Sequence, residues 1–333
     1  MIRLLKFTTV AAVLWSFYWA AAGYGIRSGV EGWFSAQSAR GWQAEHSGIS
    51  GGGYPLRHML RIDNPVLADP ASGLAWSAAW LSLESPGIWP GRQTLRFAPD
   101  PQRLSYFDQT SVISAKDLEA RLDLAPGVAL ELRELAMQGG VWRIQSNGSD
   151  LIGADTLLLG MTQGEASETY RIDLQAEGLR PGRAVRQIMG AAPDVPDQFD
   201  TLVVDMDVQF DRAWDRQALE ERRPQPRKIS LRQAEAHWGP MRLRAAGDLD
   251  VDAQGVPTGA LNLRAENWRQ MLHMARVSQA MPPQAVDAAE QVLGMMAGLG
   301  GNPEDLDIQI NFRNGFVALG PLPLGPAPRL VLR

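Results

Sequence analysis

Residues 48–52, Gly-Ile-Ser-Gly-Gly, carry the G-x-S-x-G spacing in which a serine is pushed out of a strand-to-helix turn as a nucleophile. That chemistry needs a helix directly after Ser50, and a histidine and a carboxylate within reach. Pro55 follows within five residues and residues 56–62 read as extended, so a glycine turn is expected here. Asp248, Asp250 and Asp252 could converge on a hard cation. A calcium loop counted from Asp248 needs glycine at its sixth place and glutamate at its twelfth, where this chain has Ala253 and Gly259. These carboxylates read as a solvated strand face entering a turn, as do Asp205 with Asp207 and Asp305 with Asp307. The four histidines, His46, His58, His237 and His273, have no metal-ligand spacing. Zero cysteines exclude disulfides, thiolate chemistry and cysteine-ligated metals. Gly298, Gly300 and Gly301 lack the lysine of a phosphate-cradling loop. Arg222, Arg223, Arg227 and Lys228 read as a solvated loop or a contact for anionic lipid or a partner. No catalytic residue, metal or cofactor is assigned, and the chain is expected to be non-catalytic.

The residue types that do stand out are apolar and adaptable. Trp76 and Trp80 share a strand parity with Ala78 between them. Trp268, Met271, Leu272, Met274, Met295 and Met296 fall on helical stretches. Core filling accounts for them; so does an apolar groove, because flexible methionines suit acyl chains. Trp76, Trp80, Trp268, Met271, Leu272, Met295 and Met296 are therefore the candidate ligand surface.

These residues must be positioned by a membrane segment and a β-rich body. Arg3 and Lys6 precede residues 7–26, an uncharged stretch that covers about 30 Å as a helix, enough to cross a bilayer once. Phe7, Trp15, Trp19 and Ile26 mark this span, its outer half rich in aromatic residues. Basic residues ahead of it place the N-terminus in the cytoplasm and the bulk of the chain in the periplasm, anchored in the bacterial inner membrane. The alternative is a signal peptide cleaved after residues 20–22, Ala-Ala-Ala, leaving a soluble periplasmic protein. Residues 27–43, with Val30, Trp33, Phe34, Gln37 and Trp42, read as an amphipathic helix.

From residue 44 to 333, alternation of period two dominates, as in Tyr170, Ile172, Leu174 and Ala176 against Arg171, Asp173 and Gln175. Asn147-Gly148, Gln254-Gly255 and Asn314-Gly315 punctuate such runs as hairpin turns. Helical spacing is confined to residues 183–190, a run from Asn267 to the Pro282-Pro283 stop, and residues 284–299. A strand, helix and strand frame recurs, dividing the body into two similar halves, 44–178 and 179–333. The expected fold is mainly β (β-rich α+β): a curved antiparallel sheet of many short strands with a few packed helices, preceded by one transmembrane helix. A net charge of −5 and a pI near 5.5 provide no field for nucleic acid.

At residues 53–57 (Gly-Tyr-Pro-Leu-Arg), 237–240 (His-Trp-Gly-Pro), 247–250 (Gly-Asp-Leu-Asp), 254–259 (Gln-Gly-Val-Pro-Thr-Gly), Asn267-Trp268 and the Gly-Pro-rich tail, the chain resembles the alphaproteobacterial envelope family called domain of unknown function 2125. The Gly, Asp-Leu-Asp, Gln-Gly, Pro, Gly order is also similar to modules of AsmA-like envelope proteins. The resemblance implies an anchored, β-rich periplasmic protein acting in outer-membrane homeostasis or phospholipid passage, and it brings no catalytic residue. The expected function is a non-catalytic membrane-anchored protein offering an apolar groove to lipid or an envelope partner. A structural β-module without ligand is the alternative, and a hydrolase using Ser50 or an Asp the second.

Overall fold

Most of the chain is strand because its side chains alternate between a polar and an apolar face. Arg57–Asp63 shows the pattern plainly: His58, Leu60 and Ile62 turn inward while Met59 and Arg61 face out. A computed structural model describes residues 1–89, 91–191, 195–220, 222–278, 283–299, 302–320 and 322–332. The expected β-rich antiparallel fold, preceded by a long apolar helix, is the one observed. Pro282, Gly300 and Gly301 lie outside the described residues.

Helix α1 is one uninterrupted element, Ile2–Ala39, and ends where Gly41 takes a φ of 92°. The expected boundary at residue 26 is not a break in the backbone. Arg27 pairs with Glu31 one turn on (2.8 Å), no proline intervenes, and the helix continues through the whole amphipathic stretch. Its apolar stripe of Ile26, Val30, Trp33 and Phe34 packs on Ile49, Leu60 and Ile62.

The chain divides into two compact units, Met1–Leu124 with Gln145–Asn147, and Ala125–Ile144 with Gly148–Arg333. In the first, the strands Gly48–Gly52, Arg57–Asp63, Trp80–Pro86, Arg92–Phe97 and Glu119–Leu124 neighbour one another in that order, all antiparallel. Gln43–Glu45, Val66–Asp69, Leu74–Ser77, Gln102–Tyr106 and Gln109–Ala115 pair likewise in a separate sheet.

In the second unit a meander runs from Leu132–Gly139 through Thr156–Gln163, Thr169–Glu177, Thr201–Phe210, Pro226–Trp238, Met241–Val251, Pro257–Glu266 and Asp305–Arg313 to Phe316–Leu319 and Leu322–Pro326. The expected division at 178/179 does not separate halves, because Thr169–Glu177 pairs directly with Thr201–Phe210. The recurring frame is instead a helical insertion between adjacent strands. Helix α2 (Arg183–Ile188) lies between that pair, and α4 (Trp268–Val277) and α5 (Pro283–Leu299) lie between Pro257–Glu266 and Asp305–Arg313. A short helix α3, Arg216–Glu220, precedes the strand Pro226–Trp238. Asn314 and Gly315 take φ values of 52° and 76°, the left-handed pair that a tight hairpin turn requires.

Candidate functional site

The clearest constellation of unusual groups lies where α1 crosses the hairpin of Gly48–Gly52 and Arg57–Asp63, inside the first unit. Trp15 Nε1 donates to the Pro55 carbonyl (3.0 Å), and Trp19 Nε1 to that of Arg57 (3.0 Å). Ser16 and Tyr54 share a hydroxyl hydrogen bond of 2.8 Å. Trp19 meets Tyr54 edge-on and stacks on His58, with centroids 5.4 and 5.0 Å apart. His58 is only 5% exposed, and neither of its ring nitrogens has a hydrogen-bond partner. Burial pushes its pKa below the ordinary 6.5, so the ring is neutral at pH 7. A neutral imidazole has one N–H to give and one lone pair to fill, a pair of needs that a hydroxyl meets.

His58 lines a cavity of about 320 Å³ with Trp19, Ile26, Leu60, Leu83 and Ser85, at the lower end of the size range of ligand pockets. Gly23 opens it. A Cβ there would lie 3.4 Å from His58 Nδ1, so any longer side chain would project into the same space.

Of the residues expected to form a ligand surface, Trp268, Met271 and Leu272 meet, but inside a core cluster. Trp76 and Trp80 stand on different strands of different sheets, so shared parity does not put them on one face. Trp76 Nε1 donates to Gln102 (3.0 Å), and Arg61 lies 4.5 Å above the Trp80 ring. Trp268, 2% exposed, is core, packed with Ala265, Leu293 and Leu306, its Nε1 donating to the Pro303 carbonyl (3.0 Å). Met271 and Leu272 pack against that same core, and Met274 is buried beside Trp238. Met295 is 66% exposed and Met296 39%. Helical spacing identifies an apolar face, and packing of α4 and α5 on the sheet consumed it.

The marked membrane residues also separate. Phe7 is exposed, whereas Trp15, Trp19 and Ile26 turn toward the hairpin and the core beneath it. Ser50 stands exposed in the strand Gly48–Gly52 opposite Arg61, so this segment is neither a nucleophile elbow nor the expected turn. Asp248 accepts from the Ser230 hydroxyl, and Asp252 accepts from the backbone N–H groups of Gln254 and Val256 (2.8 Å each). Among the described residues, no group of three His, Cys, Asp or Glu side chains could hold a metal. Arg222 and Arg227 both pair with Asp211 (2.8 and 3.4 Å), fastening the loop before Pro226–Trp238.

A larger cavity, about 840 Å³, lies within the second unit and is lined by Arg143, Arg180, Arg183 and Arg186 with Asp150 and Asp197. Arg180 holds Asp155 through two contacts of 2.7 Å, and Arg186 donates to the Val195 and Pro196 carbonyls. Arg143 and Arg183 make no ion pair among the described residues. Sequence reasoning missed this cavity because its arginines are some forty positions apart and meet through strand pairing. It also missed His58, although alternation with Leu60 and Ile62 marks a histidine on an inward face.

A family model described as "Uncharacterized protein conserved in bacteria (DUF2125)" matches residues 19–328. The chain belongs to this family. The DUF2125 match takes in both units and the Trp19–His58 contact. No curated protein matches the chain, and the likeness to AsmA-like proteins is not supported by these comparisons.

Proposed function

We propose that this DUF2125 protein is a non-catalytic, single-pass protein of the bacterial inner membrane. Its β-units stand in the periplasm, and the cleft beneath α1 takes a lipid-like amphiphile that bears a hydroxyl for His58. The observation that carries the reading is His58, buried with both ring nitrogens unpartnered, in a mainly apolar cavity that Arg27, Ser85 and Gln93 also line, beneath a helix long and apolar enough to cross a membrane. Arg3 and Lys6 ahead of the span support a cytoplasmic N-terminus. Retention of the helix is supported by its packing, since cleavage after residue 22 would remove Trp15 and Trp19 from the hairpin and uncover His58.

Organic extraction of the full-length protein, followed by mass spectrometry, tests the reading. Lipid is expected above the level of a control membrane protein, and a folded Gly23→Leu variant, whose side chain fills the cleft, is expected to lose it. Equal recovery from wild type, variant and control would overturn lipid binding. A second reading, a structural module without ligand, is favoured by Trp268, Met271 and Leu272, which pack into the protein's own core.

A further inference from the structure

Residues 2–14 of α1 are the part that projects beyond the hairpin, since contacts with the β-body begin at Trp15. Arg3 and Lys6 stand ahead of the span, so its free part is residues 7–14. Eight helical residues cover about 12 Å, some 18 Å short of the roughly 30 Å of hydrocarbon that a single span must cross. The shortfall falls at the level of Trp15, where two loop tips flank the helix. Leu56 and Ile88 are 79% and 76% exposed, and Tyr54 and Trp89 are exposed beside them. Four large apolar side chains at one end of a unit are costly in water and favourable in lipid.

Part of the backbone of these tips is paired within the unit. Gly87 N donates to the Leu56 carbonyl (2.8 Å), Arg57 N to Gly53 (3.1 Å) and Trp89 N to Pro86 (3.3 Å), while the Trp15 indole satisfies Pro55. Pairing of these groups lowers the cost of placing non-helical chain at a membrane boundary, where water and headgroups can meet the rest. Charge begins immediately behind the tips, with Arg57 paired to Glu84 (2.7 Å) and Arg92 to Asp123 (3.4 Å), at the height where lipid headgroups would lie.

We propose that residues 54–56 and 88–89 form a wedge seated in the nearer leaflet alongside α1, so that the first unit is partly embedded in the bilayer and makes up part of the length that the free helix lacks. The occupant of this apolar rim is lipid, because the rim is continuous with the exposed apolar surface of the helix. The inference rests on the reading of α1 as a membrane anchor.

The chain has no cysteine, so single cysteines can be placed in the full-length protein without background. Phe7→Cys, Leu56→Cys, Ile88→Cys and Asp100→Cys would each carry an environment-sensitive fluorophore. The reconstituted proteins would be read in phosphatidylcholine–phosphatidylglycerol vesicles with and without spin-labelled lipid, after circular dichroism confirms that each is folded. Leu56 and Ile88 lie at the membrane end of the strands, and Asp100 follows the opposite end. Quenching of roughly twofold is expected at Phe7, Leu56 and Ile88, as for groups buried at the headgroup boundary or deeper, with none at Asp100. Quenching at Phe7 with Leu56 and Ile88 behaving like Asp100 would overturn the wedge while leaving the anchor intact. An unquenched Phe7 would overturn the anchor, and the wedge with it.

Discussion

Trp19 lies nearly flat on His58, with ring centroids 5.0 Å apart and planes inclined by 22°. The contact joins the apolar helix to a strand 39 residues later in the chain, and the Trp19 indole is also tied to the carbonyl of Arg57, the residue before His58. It therefore locks the helix to the hairpin in both height and rotation.

Trp19→Ala removes the stack, the indole hydrogen bond and a wall of the cleft, and should destabilise the first unit by about 3 kcal/mol, the usual cost of truncating a large aromatic. Trp19→Phe keeps a ring on His58 and should cost about 1 kcal/mol, the value of one lost hydrogen bond. Denaturant unfolding in a mild detergent checks both.

His58 makes the stability pH-dependent in a definite direction. Burial lowers its folded pKa below 6.5, so the unfolded chain binds a proton at a higher pH than the folded one. Stability is full above about pH 6.5 and falls as pH drops from there toward the folded value, by at most about 1.4 kcal/mol per pH unit. His58→Phe should abolish that slope. The Glu84 carboxylate is held low by hydrogen bonding to Arg57, against the opposing pull of burial, and then by Arg96. Its contribution is lost separately, as pH falls below about 4.5. Unfolding curves from pH 4 to 8 for wild type and variant separate the two.

Tyr170 is fully buried in the second unit, its hydroxyl donating to the Leu132 carbonyl (3.1 Å) and accepting from Trp214 N (3.1 Å). Tyr170→Phe preserves the ring but leaves the part-buried Leu132 carbonyl and Trp214 N–H without this partner. A loss of about 2 kcal/mol is expected, read as a lower urea midpoint with an unchanged slope.

Ser50→Ala should leave both stability and cellular phenotype unchanged, since the hydroxyl is exposed in mid-strand. An exposed substitution of this kind stays within about 0.5 kcal/mol. A phenotype matching gene deletion would revive the serine hydrolase reading.

How much was legible followed the range of each signal. Strand alternation in Tyr170, Ile172 and Leu174, the left-handed turn at Asn314-Gly315 and the helical spacing of Trp268, Met271 and Leu272 are written in neighbouring residues and appear in the structure as expected. The ligand surface was not legible, because the same spacing describes a helix face whether it meets solvent, ligand or sheet. Only packing turned Trp268 into core and left Met295 exposed.

The sequence by itself determined an apolar N-terminal helix, a β-rich antiparallel body, its main hairpin turns and its family, since each depends on local composition and periodicity or on motifs along the chain. Tertiary structure alone decided that Trp15 and Trp19 point at a hairpin, that His58 is sealed beneath them and that Trp76 and Trp80 part company. Those outcomes depend on which surfaces come together when α1 lies across strands some forty residues away, and residue spacing within a single segment carries no record of that choice.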